Sequence, residues 1–136
     1  MALVILGPPR TKKNHGRIVR AGKHLRLLPS LAQVDWAKSA IRQLRQQWHA
    51  PAFAKAVSVK ARFFRDRAVG DLVNYFQALA DALEHAGVVV NDRLIVSWDG
   101  SRLDKDSMRP RVELEVELFR EAQPFPPAPP EPERSP

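Results

Sequence analysis

The chain has no cysteine among its 136 residues. That excludes disulfides, cysteine-ligated zinc and a thiol nucleophile, and it agrees with a reducing compartment. No apolar run approaches the roughly 20 residues that cross a bilayer. The apolar start, Met1 to Leu6, is too short for a secretory signal and has no basic segment before it. A cytoplasmic protein without a membrane partner is the expectation. Acid is missing too: none occurs from Met1 to Val34, and the first is Asp35.

The same stretch carries Arg10, Lys12, Lys13, Arg17, Arg20, Lys23 and Arg26. Over the whole chain 22 basic residues face 15 acidic ones, with a pI near 10.4. Surfaces normally mix the two signs. A one-sign run is either a solvated face or the footprint of a polyanion, of which nucleic acid is the commonest. At 44% hydrophobic and 27% charged, the composition is that of a folded domain rather than a disordered chain. Domains run to about 100–200 residues, so one is expected, spanning 1–120. The remaining 121–136 holds seven of the 12 prolines and reads as a disordered or polyproline-like tail.

Along the chain, Ala2–Leu6 reads as a short strand stopped by Gly7-Pro8-Pro9. Arg10–Leu28 is basic and polar, with a loose hairpin possible around Ile18, Val19, Leu25, Leu27 and Leu28. A helix starts at Pro29-Ser30, with Leu31, Val34, Ala37, Ile41, Leu44 and Trp48 along one face. Pro51 ends it. Val57–Phe64 alternates as a half-buried strand. Asp71 opens the clearest helix, with Leu72, Phe76, Leu79 and Leu83 on one side and Gly87 as its stop. Asn91-Asp92 is a turn, Leu94–Trp98 a strand, Asp99-Gly100 a turn and Val112–Phe119 a last strand. The order predicts an α+β fold: a small mixed or antiparallel sheet with two main helices on one face.

Chemistry concentrates in Gly70-Asp71-Leu72-Val73-Asn74 and, one helix later, Val90-Asn91-Asp92. Carboxylates facing a groove hold Mg²⁺ through oxygen and leave room for water and phosphate. Such a cation activates water against a phosphodiester. Each aspartate also has a plainer use, Asp71 as a helix cap and Asp92 as a turn residue. The helix between them is about 22 Å long. The two meet only if the returning strand crosses the helix start or a second chain contributes. The four histidines show no zinc-binding spacing and read as surface residues. The tryptophans and phenylalanines fall at core positions, with Trp98 open between core and base stacking.

The segment Asp71-Leu72-Val73-Asn74-Tyr75-Phe76-Gln77-Ala78-Leu79-Ala80-Asp81-Ala82-Leu83-Glu84-His85-Ala86-Gly87, followed by Asn91-Asp92, resembles the RusA family of Holliday junction resolvases. The start is similar as well: an apolar strand, then the basic, proline- and asparagine-containing Gly7-Pro8-Pro9-Arg10-Thr11-Lys12-Lys13-Asn14. The resemblance covers Ala2 to about Phe119. It implies a bacterial or phage-encoded homodimer that nicks two opposed strands of a four-way junction with Mg²⁺ or Mn²⁺. It maps the metal-binding carboxylates onto Asp71 and Asp92. The family's second aspartate is Val73 here, and its helical lysine is Gln77. Asp99 is the choice for a third catalytic carboxylate, ahead of Asp104 or Asp106, and Lys105 could supply charge. Asp81 matches a structural position. DNA contacts are expected from Arg10, Lys12, Lys13, Asn14, Arg17, Arg20 and Lys23. Two other classes stay open: a DNA-binding protein of this fold that does not cleave, and an RNA-binding accessory protein.

Overall fold

The structure is a computed structural model and describes residues 1–11, 17–28, 30–121 and 126–133. The elements are β1 (Ala2–Leu6), β2 (Arg17–Ala21), β3 (His24–Leu28), α1 (Leu31–Gln47), β4 (Val57–Arg65) and α2 (Leu72–His85). A short 3₁₀ turn, Asp92–Leu94, leads into β5 (Ile95–Ser97), β6 (Arg102–Lys105) and β7 (Arg111–Leu118). The expected α+β fold is what forms. β1, β7 and β4 are antiparallel neighbours, while β5 and β6 both run parallel to β4. β2 and β3 make a separate hairpin, turning at Gly22, whose φ of 63° suits a residue without a Cβ.

Alternation along the strands decides the layers. Val57, Val59, Ala61 and Phe63 of β4 are buried, as are Leu3 and Ile5 of β1 and Val112, Leu114 and Val116 of β7. They pair in register, Ile5 and Phe63 both opposite Val112, Leu3 and Ala61 both opposite Leu114. All belong to one core with Trp36, Ala40 and Leu44 of α1 and Tyr75, Leu79 and Leu83 of α2. Both helices therefore cover one face of the sheet. On the other face Lys60 stands opposite Glu115 and Arg62 opposite Glu113. Phe64 points outward too, yet is buried, with the guanidinium groups of Arg62 and Arg111 at 4.8 and 3.8 Å from its ring centre.

Three details depart from the periodicity. The buried stripe of α1 is Gln33, Trp36, Ala40 and Leu44, while Leu31 is 60% exposed. The rotation brings Gln43 and Gln47 against β1. Their side-chain amides donate to and accept from the backbone of Leu6 and Val4, at 2.7 to 2.9 Å. Two glutamines thus close a free sheet edge as a further strand would. In α2 the buried line runs through Tyr75, Ala78, Leu79, Ala82 and Leu83, with Phe76 on its flank. Finally, the strand expected over Leu94–Trp98 begins with the 3₁₀ turn, and β6 follows it. Arg-Leu-Asp-Lys has no apolar alternation, so pairing with β4 alone makes it a strand. Between β5 and β6 the Ser101 hydroxyl accepts the Ala61 N–H at 2.9 Å, filling the gap in the ladder.

No helix among the described residues is long and apolar enough to cross a membrane. Glu121 and residues 126–133 of the tail carry no helix or strand and are exposed.

Candidate active site

β4 ends at Arg65, and residues 66–70 form a short loop into α2. Three side chains fix this loop. Arg65 donates to the carbonyl oxygens of Val69 and Gly70, both at 3.2 Å. The Tyr75 hydroxyl donates to Val69 O at 2.6 Å, and burial raises its pKa, so it stays a donor. Arg10, just beyond β1, grips Asp66 with both terminal nitrogens at 2.8 and 2.9 Å. That bidentate pair is the strong form of the interaction. The hydrogen bond from Arg10 holds the Asp66 carboxyl below its ordinary range, against the opposing effect of burial. The same bond raises the Arg10 guanidinium.

The loop delivers Asp71 to the start of α2. Its backbone is extended, and its carbonyl accepts the N–H groups of Asn74 and Tyr75. Its side chain makes no capping hydrogen bond and is exposed. A carboxylate left open at the positive end of a helix dipole is available to a cation or a partner. Val73 lies on the first turn and is 73% exposed, so the family's second carboxylate position faces solvent with an apolar side chain. Gln77 is exposed one turn further on.

Asp92 sits at the other end of α2. Its N–H donates to Glu84 Oε1 at 3.2 Å, in the last turn of the helix. The Asn91 side chain accepts the Arg93 N–H at 2.9 Å and caps the 3₁₀ turn. The 14 residues of α2 therefore hold Asp71 and Asp92 about 20 Å apart within one chain. β5 starts beside Val57, at the beginning of β4, so it does not cross the helix start. Asp99 is exposed, in the turn beside Lys60, midway along β4. Trp98 stacks on Phe76 at 4.3 Å between ring centres, an arrangement that gives the indole a core partner.

Two further acids share the Asp71 end of the sheet with Asp66, and arginines occupy both. Asp104 pairs with Arg62 and Arg102, each at 3.1 Å. Burial raises its pKa, but the two arginines outweigh it and the net direction is down. Asp106 accepts from Arg111 at 2.9 Å, which lowers its pKa with help from the Arg109 and Met108 N–H groups. Lys105 is exposed, in register with Arg65. Among the described residues no three carboxylates or histidines gather where they could hold a metal ion. Asp71 and Asp92 of one chain, at opposite ends of α2, do not converge on one cation.

Of the expected DNA contacts, Lys12, Lys13 and Asn14 lie outside the described residues. Arg17 and Arg20 lie on β2, and Lys23 is exposed at the hairpin turn. Arg10 is spoken for by Asp66. Sequence reasoning missed this pair because the two residues are 56 positions apart.

The family model for endodeoxyribonuclease RusA matches residues 7–117, from the end of β1 almost to the end of β7. The chain belongs to the RusA family. A comparison with curated proteins finds no match. Membership implies Holliday junction resolvase activity, and so an endonuclease whose substrate is branched DNA. The RusA match includes the Arg10–Asp66 pair, the loop it holds and both ends of α2, and it leaves the proline-rich tail outside.

Proposed function

We propose that this RusA-family chain resolves four-way DNA junctions by paired nicks as a two-fold homodimer. In this reading Asp71 of one copy and Asp92 of the other hold a divalent cation, Mg²⁺ or Mn²⁺. The observation that carries it is the placement of two accessible aspartates at opposite ends of one helix. A two-fold axis that sets α2 antiparallel to its copy brings the start of each helix to the end of the other. It does so twice, giving one site for each of two opposed strands. Exposed apolar residues flank both ends: Val73 near Asp71, and Val90 and Val96, at 60% and 54% exposure, near Asp92. Such side chains suit an interface better than water.

When bound, the cation would polarise the scissile phosphate and lower the pKa of an attacking water. The chain's own part is positional. Arg65, Tyr75 and Arg10 hold the loop before Asp71, and Glu84 holds the backbone of Asp92. Lys12, Lys13, Asn14, Arg17, Arg20 and Lys23 would track the junction phosphates, while Arg10, paired with Asp66, holds the loop. Asp99 has a lesser role, consistent with its distance along the edge strand.

The test is cleavage of a synthetic four-way junction with and without Mg²⁺. Asp71→Asn and Asp92→Asn should each abolish cleavage and leave junction binding intact or slightly tighter, while Asp99→Asn reduces cleavage less. Val73 and Gln77 favour a second reading, a junction-binding protein without cleavage. Tight binding with no cleavage in Mg²⁺ or Mn²⁺ would select it.

A further inference from the structure

The first 65 residues contain 14 lysines and arginines and one acid, Asp35. Tertiary structure neutralises part of this excess. Arg10 meets Asp66, Arg62 meets Asp104, and Lys60 stands opposite Glu115. On α1 nothing comparable happens. Lys38, Arg42 and Arg45 recur at i, i+4 and i+7, all exposed, and none joins an ion pair among the described residues. Asp35 lies at the N-terminal end of the same face and offsets one charge at most. Like charges at this spacing weaken a helix, so helix stability does not account for the repeated charge.

The stripe borders a groove of about 500 Å³ lined by Lys38, Ile41, Arg42, Arg45, Gln46 and His85. Arg45 bridges the two helices across it, donating to the His85 carbonyl at 2.9 Å. That bond satisfies the end of α2 and fixes the guanidinium at the rim. From Lys38 to Arg45 the helix rises about 10 Å. Duplex DNA carries one negative charge per roughly 1.7 Å of axis, so the stripe spans several phosphates.

We propose that this face of α1 is a second DNA contact, separate from the Arg10–Lys23 segment, and that it holds the phosphate backbone of a junction arm. The assignment rests on branched DNA being the substrate, and not on how two copies pair. Its chemistry is sequence-independent: cations along a groove whose described lining residues include no carboxylate.

The experiment is fluorescence anisotropy of the full chain against a labelled four-way junction, a labelled plain DNA duplex and a labelled RNA duplex, over a range of salt. Lys38→Ala/Arg42→Ala leaves Arg45 on the helix end, and Lys38→Gln/Arg42→Gln repeats the test with longer side chains. Thermal melts should match wild type, because both positions are exposed. Each pair should lower the log–log salt slope for junction binding by about two units, one per phosphate contact. An unchanged slope in both variants, with wild type binding steeply, overturns the proposal. A slope lowered on an RNA duplex but not on DNA assigns the face to RNA and also overturns it. Wild type without salt-dependent junction binding removes the branched-DNA reading itself.

Discussion

If each active site combines Asp71 of one copy with Asp92 of the other, two dead variants should rescue each other. The reasoning is geometric. α2 spans about 20 Å between the two aspartates, so one chain cannot bring both carboxylates to one cation. Asp71→Asn and Asp92→Asn each inactivate both sites of their own homodimer. In a mixed dimer, one site receives both asparagines and the other receives both aspartates. Equal mixing with free exchange yields about half mixed dimers, each with one intact site, so about a quarter of wild-type sites return. The product also changes. A dimer with one working site nicks one strand and leaves the junction joined, whereas two sites resolve it. The assay uses a junction labelled on opposed strands. Denaturing gels count nicks and native gels count resolved duplexes. Restored nicking without matching resolution is the expected result. If the two variants exchange subunits, shown by a tagged pull-down, and the mixture stays inactive, the shared site is wrong.

Other consequences can be measured separately. Restoring the family's acid with Val73→Asp should cost almost no stability, since the side chain is 73% exposed on a first helical turn; a carboxylate there gains about 0.3–1 kcal/mol from the helix dipole. Isothermal titration should then show tighter Mg²⁺ binding by the dimer. Gln43→Ala/Gln47→Ala removes four hydrogen bonds to β1 and should lower stability by about 1–3 kcal/mol in urea. It also opens the edge, so light scattering should rise with concentration. The lowered Asp66 pKa means that the Arg10 pair contributes fully above the unfolded value near 4 and is lost as pH falls through the lower folded value. Arg10→Ala should therefore reduce stability at pH 7 by on the order of 1–3 kcal/mol and flatten the acid limb of the stability curve. Deleting Pro124–Pro136 should leave the melting temperature and junction cleavage unchanged, because the tail has no core to lose.

Sequence alone determined the local facts of this protein. Alternation named β4 and β7, and glycines with positive φ after α2 and at Gly100 marked real stops. Spacing placed Asp71 and Asp92 at the two ends of one helix and the charge count pointed to nucleic acid, all from properties that need only neighbouring residues. Tertiary structure decided the rest, because it depends on what the chain folds against. α1 carries apolar residues over more than one face, and contact with the β1 edge chose the face that puts Gln43 and Gln47 on that strand. β6 exists only because β4 offers a ladder to a polar segment. Arg10 reads as a DNA contact until folding brings Asp66 to it from 56 residues away. Lys38, Arg42 and Arg45 look like any solvated helix face until Arg10 and Arg62 find carboxylates and these three, among the described residues, join no ion pair. Charge is written residue by residue, but which charges stay uncompensated is settled only when distant strands and helices meet.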